Sequence, residues 1–342
     1  MLKVAIVGVG AWGKNLVRNF HLLSGVDPAW CCDSDPEKLD AILKDYPGMR
    51  ATSRFEDILT DDSIRAVIIA SPAATHHDLA IAALEGGKHV YVEKPLALSA
   101  ADAEAIAALA DKKNLKLMVG HLLLYHPAVR HLKSLVDAGD LGDVFYINSQ
   151  RVNLGKVRRD ENALWSLAPH DVSVILHLLG CMPDSVSAHG ESYIRQGVED
   201  VVFLNMKFPD RRMAELQVSW LDPHKVRQIK VVGEKKMAIF DDMESSEKLK
   251  IFSKGADGRG YESYGDSLAV RFGDIKIPNI NMSEPLRAEC RHFADCILED
   301  RRPLTDGANG VRVVKVLEAA QQSMRQGGAP VKPAGRTEAK FI

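Results

Sequence analysis

The sequence predicts a two-domain α/β protein, with a parallel sheet wound by helices at the N-terminus and a second α/β domain on a largely antiparallel sheet. Three observations carry this. The chain has 342 residues, enough for two independent cores. Up to about residue 120, short β-branched runs alternate with helical stretches, as in a parallel sheet covered on both faces. Beyond that point strand-like runs follow one another without helices between them, which implies antiparallel neighbours. The domains are taken as 1–120 and 121–342.

In order, "LKVAIVGV" reads as the first strand, followed by a helix from Ala11 to about Leu23, the strand "PAWCCD" and a helix from Pro36 to about Lys44. "IRAVIIAS" is apolar almost throughout, as a strand buried on both faces requires. Thr75 to Glu85 is a helix closed by Gly86-Gly87, "KHVYVE" a strand, Ser99 to Lys113 an N-capped, Ala-rich helix and "LKLMVGH" another strand. A helix from Pro127 to Ala138 opens the second domain. The strands "DVFYINSQRV", "VVFLNMKF", "MAELQVSW" and "RQIKVVGEKKMAIFDD" follow. Residues 254–274 are rich in Gly, Asp and Ser and read as a mobile loop or excursion, whereas 283–300 and 307–326 carry helical periodicity. The tail after Gly327-Gly328 is expected to be frayed or docked on a neighbouring subunit.

Composition narrows the function classes. With 44 Lys plus Arg against 46 Asp plus Glu, the chain gives no reason to expect a nucleic-acid or anionic-membrane partner. No segment reaches the roughly 18 consecutive apolar residues of a membrane span, and no signal-peptide layout precedes the first strand, so a cytoplasmic protein is expected. The five cysteines form no regular framework and are expected to be reduced.

Gly8-Val9-Gly10-Ala11-Trp12-Gly13 places GxGxxG at the passage from strand to helix. Glycine at 8 permits the tight turn, glycine at 10 lets a pyrophosphate approach backbone N–H groups, and glycine at 13 lets helix and sheet pack closely. Asp33, at the end of the second strand, can accept from ribose hydroxyls, and with Asp35 it would repel a 2′-phosphate. The expected cofactor is therefore NAD.

Two further segments, Ser71-Pro72-Ala73-Ala74-Thr75-His76 and Glu93-Lys94-Pro95, complete a set that resembles the Gfo/Idh/MocA family of nicotinamide-dependent sugar and cyclitol oxidoreductases. The likeness extends to "HPAVRHLKSLVDAGDLGDV" and "RRPLTDGANGVRVVKVLEAA". It implies a Rossmann domain, then an α/β domain with an open mixed sheet often used to build homodimers or homotetramers, and an active site between the two. The same resemblance makes Lys94 the first catalytic candidate, its direction fixed by a proline that is commonly cis in the family. An ammonium there can stabilise a developing alkoxide. Aligned on its Leu-Leu-Gly end, "ALWSLAPHDVSVILHLLG" puts His170 on the family's catalytic histidine, a group able to accept the hydroxyl proton. Ser166 stands where the family usually carries an acid. Asp171 points about 100° away from His170 on a helix and reads as an orienting or structural group. Ser71, Pro72, Thr75, His76, Glu93 and His121 join Gly8, Gly10, Ala11, Trp12, Gly13 and Asp33 as cofactor-side candidates, whereas His126, His131, His177, His189, His224 and His292 read as capping or packing residues. No HExxH or tight ligand cluster is present, so no catalytic metal is expected.

The segment "RVNLGKVRRDENALW" gathers Lys156, Arg158 and Arg159 beside Asn153, Asn162 and Trp165. Arginines bind phosphates bidentately and asparagines suit sugar hydroxyls or an acetamido group, so these six, with Lys94 and His170, form the expected substrate set; a solvated basic loop or subunit contact is the alternative. The passage resembles family members that oxidise UDP-N-acetylglucosamine at C3, before an aminotransferase, in lipid A or surface-polysaccharide synthesis. UDP-N-acetylglucosaminuronate 3-dehydrogenases, then free-sugar or inositol dehydrogenases, are the nearest alternatives. The family also contains NAD-dependent glycosidases and non-catalytic NAD-binding regulators. The regulators tend to lose the lysine and histidine that this chain keeps.

Overall fold

The computed structural model describes residues 1–155, 161–257 and 269–334. Contacts divide the chain into two compact units, Met1–Tyr125 with Ser283–Lys315, and His126–Met282 with the chain from Val316 onward.

The first unit holds strands β1 (Leu2–Val7), β2 (Val26–Cys32), β3 (Arg50–Thr52), β4 (Ala66–Ile69), β5 (His89–Glu93) and β6 (Leu117–Gly120), interleaved with α1 (Gly13–His21), α2 (Pro36–Asp45), α3 (Phe55–Leu59), α4 (His76–Glu85) and α5 (Ala100–Lys112). The strands pair in parallel in the order β3-β2-β1-β4-β5-β6. The order reverses between β1 and β4, which opens a crevice at the carboxyl ends where ligands of such sheets bind. β4 is buried along its whole length, which accounts for its unbroken apolar sequence. Helix starts follow local chemistry: Asp35 accepts from Glu37 N–H ahead of Pro36, and Ser99 accepts from Asp102 N–H. β3 and α3 escaped the sequence reading because three and five residues are too few to show a period.

The second unit contains α6 (Pro127–Asp137), β7 (Val144–Val152), α7 (Ala163–Leu179), β8 (Ser185–Glu191), β9 (Val201–Lys207), β10 (Met213–Ser219), β11 (Val226–Gly233), β12 (Met237–Asp241), β13 (Leu249–Phe252), β14 (Gly255–Asp257), β15 (Ala269–Arg271) and β16 (Ile275–Lys276). Its main sheet runs β16-β13-β12-β11-β7-β10-β9-β8. Only β7 and β10 pair in parallel in that sheet, so it is mixed and largely antiparallel. β14 and β15 form a separate antiparallel pair within the stretch expected to be a loop.

Two expectations change. The sequence predicts one domain after residue 120, but Ser283–Lys315 folds with the first unit. The reason is α8 (Pro285–Leu298), whose Leu286, Cys290, Phe293, Ala294 and Ile297 form one helix face and join the core of Leu2, Val4, Ile6 and Phe20. The division then falls within α9 (Gly307–Arg325). The tail, as far as it is described, docks on its own unit, where Val331 and Val186 exchange backbone hydrogen bonds.

Candidate active site

The three motif glycines differ in what demands them. A Cβ on Gly8, whose φ is 86°, would lie 2.5 Å from the Ser71 nitrogen, and one on Gly13 would lie 1.9 Å from the Gly8 oxygen. Those two glycines serve the fold. At Gly10 no atom stands within 4 Å of the Cβ position, so packing within the chain does not require glycine there. Open space beside the start of α1, which has no acidic residue in its first turn, fits a pyrophosphate on its N–H groups. Ala11 is exposed at the same turn.

Asp33 closes the turn from the next strand. Its Oδ2 accepts from Val9 N–H at 2.9 Å and its Oδ1 from Asp35 N–H at 3.0 Å. Asp35, expected as a second repelling charge, caps α2 in the structure, and Lys38 stands between the two carboxylates, 3.5 Å from Asp33 and 3.3 Å from Asp35. The i,i+3 spacing of Asp35 and Lys38 was the signal available in the sequence.

The turn after β4 is knitted by short bonds: the Ser71 and Thr75 hydroxyls meet at 2.7 Å, and Thr75 donates to the Pro72 carbonyl at 2.8 Å. His76 is buried, with Nδ1 2.7 Å from the Pro95 carbonyl and Nε2 3.0 Å from the Ser71 carbonyl. Its ring ties the two loops together through backbone acceptors. Burial pushes its pKa down against those hydrogen bonds, and Lys94 adds to the effect.

Glu93 and Lys94 end β5, and the Lys94–Pro95 peptide is cis. The pairing of Glu93 with Gly120 brings the next residues, Lys94 and His121, to the same sheet edge. His121 is buried, with Nδ1 2.6 Å from Asn309 Oδ1. Burial, with Lys94 and Arg312 nearby and only Asn309 opposing, pushes its pKa down to about 4, so the ring is neutral. Glu93 accepts from the Trp12 indole at 2.6 Å, linking the glycine turn to the Lys94 corner.

In the second unit His170 lies on α7, half-buried, directly after Pro169. A proline inside a helix leaves the carbonyl four residues earlier, here Trp165, without its usual donor. Asp171 is buried and turned onto β7, where Ser149 Oγ donates to it at 2.8 Å and Arg151 donates through Nε and Nη2. It therefore fixes the helix that carries His170. Ser166 is buried on the same helix.

The expected substrate set divides. Lys156, Arg158 and Arg159 lie outside the described residues. Asn162 is spent on structure: its oxygen accepts from Trp165 N–H, and its nitrogen donates to Glu199 and Gln321 at 2.6 and 2.9 Å. Both amide hydrogens are used and the oxygen caps α7, so Asn162 has no donor left for a substrate, only the second lone pair of its capping oxygen. Trp165 is half-buried one turn before Pro169, and Asn153 follows β7, with its side-chain nitrogen close over Gly155. Elsewhere, His126 caps α6 by accepting from Ala128 N–H, and His292 accepts from Leu304 N–H. No helix among the described residues is long and apolar enough to cross a membrane.

Comparison with known proteins agrees with this architecture. Residues 2–121 match the Gfo/Idh/MocA oxidoreductase model of an NAD-binding Rossmann fold, and residues 133–332 match that family's C-terminal α/β domain. An uncharacterized oxidoreductase of Streptococcus pneumoniae is 29% identical over 64% of this chain, a match through 62% of its own length. A scyllo-inositol 2-dehydrogenase (NAD+) of Bacillus subtilis is 26% identical over 95% of both chains. A solved UDP-N-acetylglucosamine 3-dehydrogenase from Acidithiobacillus ferrooxidans superposes with a TM-score of 0.82 at 24% identity, covering 95% of this chain and 98% of that one.

Proposed function

Because the chain belongs to the Gfo/Idh/MocA oxidoreductase family, with an NAD-binding Rossmann domain, we propose that it oxidises the C3 hydroxyl of a UDP-linked amino sugar, UDP-N-acetylglucosamine. The product is a 3-keto sugar, made for an aminotransferase in lipid A or surface-polysaccharide synthesis. The observation that carries the reading is the run containing Lys156, Arg158 and Arg159 between β7 and α7. Asp160 and Glu161 follow it, so the bidentate reach of the arginines, rather than net charge, favours a diphosphate. Binding energy from a remote nucleotide can be spent on orienting the sugar.

Bound NAD supplies the hydride acceptor. Lys94 donates to the reacting oxygen and stabilises negative charge as its proton leaves, and the His170 imidazole takes that proton. Asn153 and Trp165 serve the sugar. A polyol reading is the alternative, favoured by the scyllo-inositol dehydrogenase that aligns over 95% of this chain.

The deciding experiment follows NAD reduction with UDP-N-acetylglucosamine, its uronate, free N-acetylglucosamine and inositols, with an aminotransferase trapping the ketone. Only the UDP-sugars should turn over well, and equal rates with free sugar or inositol would sink the nucleotide-sugar reading. Arg158→Ala with Arg159→Ala should raise KM for the UDP-sugar and spare NAD affinity. Lys94→Ala or His170→Ala should cut kcat by roughly 100-fold or more, the scale for losing a positioned acid–base group. Near-normal turnover in either variant would remove that residue from the chemistry.

A further inference from the structure

Behind the glycine turn and the Lys94 corner lies a buried carboxyl pair that the chemistry above does not use. Glu93 accepts from the Trp12 indole at 2.6 Å, from the Tyr91 hydroxyl at 3.1 Å and from Lys94 N–H at 3.2 Å. Glu289, on α8, is 0% exposed and interacts with the same Tyr91 hydroxyl, while neither of its oxygens makes a close hydrogen bond of its own. Gly120 leaves the space: a Cβ there would lie 2.7 Å from the Tyr91 oxygen and 2.9 Å from Glu93 Oε2.

Counting hydrogens decides the protonation. Tyr91 has one hydroxyl hydrogen, and Glu93 receives it. An ionised Glu289 would sit in the interior beside a second carboxylate with no donor of its own, which is costly without a partner. We propose that Glu289 is a positioning residue held as the neutral acid: its O–H donates to the Tyr91 oxygen, Tyr91 donates to Glu93, and Glu93 remains the carboxylate joining Trp12 to the Lys94 corner. Burial and the Glu93 charge both push Glu289 well above the usual carboxyl range. Burial leaves Glu93 raised too, but the Trp12 indole, Lys94 and Tyr91 offset part of the rise, and Glu289 has far less to hold its charged form. The other ionisable groups facing the pair are Tyr125 beyond β6 and Cys290 on α8. Burial raises Tyr91, Tyr125 and Cys290, so all three stay neutral near pH 7, and Lys94 is the cation of the set.

The sign follows from linkage. A carboxyl whose folded pKa is raised gives stability that is complete below its unfolded value and is lost as pH rises toward the folded value. Glu289→Gln keeps a donor for Tyr91 and removes the titration. As pH rises above about 5, its Tm should gain on the wild type by about 2–4 °C per pH unit until the native acid itself ionises. The consequence for cofactor binding rests on the NAD reading of the glycine turn: above the pH at which the Tm gap stops widening, where the native acid itself ionises, wild-type NAD affinity should fall by up to about tenfold while that of Glu289→Gln stays level. A constant Tm gap would overturn the proposal, as would NAD profiles that stay parallel through the pH at which the gap levels off, which would make the proton structural only. Should the variant not fold, the infrared spectrum of the wild type at neutral pH decides: a protonated-carboxyl band supports the proposal and its absence overturns it. If neither protein binds NAD at any pH, the cofactor reading fails and the positioning role with it, while the Tm comparison still locates the proton.

Discussion

Lys38 alters what Asp33 can do to a 2′-phosphate. The carboxylate is mostly covered and held by two backbone N–H groups, so it stays where a ribose would meet it. Lys38 is 43% exposed and shares its charge with Asp33 and Asp35, which raises its own pKa. Direct titration should still show NAD binding better than NADP. Asp33→Ala should narrow the difference, and Lys38→Ala should widen it by roughly fivefold at most, the range of an exposed ion pair. Equal affinities in the wild type would overturn the assignment of Asp33. The glycine turn, Asp33 and the Glu93-Lys94-Pro95 corner were legible in the sequence because their chemistry is set by spacing along a strand and its following turn. The roles of His76 and Asn162 were not. His76 bonds a carbonyl 19 residues away and the Asn162 amide donates to side chains 37 and 159 residues away, distances no local pattern records, although its cap on Trp165 N–H is a local i,i+3 signature.

At the scale of elements, α7 shows how a legible helix can conceal its own anchoring. Periodicity and the Leu-Leu-Gly ending located it, and Asp171 reads in the sequence as an orienting or structural group, but its partners on β7, Ser149 and Arg151, lie 22 and 20 residues away, where no local pattern names them. Arg151 and Asp171 are 6% and 0% exposed, so neither can lose its partner cheaply. Arg151→Leu should cost about 3–5 kcal/mol by stranding the Asp171 carboxylate, whereas Arg151→Leu with Asp171→Leu should recover much of that loss. Urea unfolding followed through Trp165 and Trp220 would measure both; a single variant as stable as wild type would mean that the pair does not hold α7. Because Asp171 adjoins His170, the single variant should also lose turnover. α8 was equally legible as a helix, but its destination was not: an apolar face states that it will be buried and leaves open which core it joins.

The whole molecule raises the question of what covers the second unit's sheet. α7 packs on one face, over β7, β9 and β10. Alternation along the same strands sends Tyr146, Phe203 and Met213 to the opposite face, where they are 44%, 43% and 52% exposed. Register sets Met213 beside Tyr146 and Phe203 beside Gln217, while Asn148–Glu215 and Gln150–Gln217 hydrogen bonds form a polar ladder between them. Apolar anchors around such a ladder suit a self-complementary contact, in which a two-fold axis presents the same patch to itself. We therefore propose a homodimer or homotetramer built on this face. Light scattering should give a mass of at least two chains at micromolar concentration. Phe203→Glu with Met213→Lys should weaken association by about 100-fold or more, the scale for losing two central anchors. Neither residue lies in the Rossmann domain, so NAD affinity should not change, and that separates loss of assembly from loss of fold. A wild-type monomer, or a double variant that assembles as before, would show that this face is not the subunit contact.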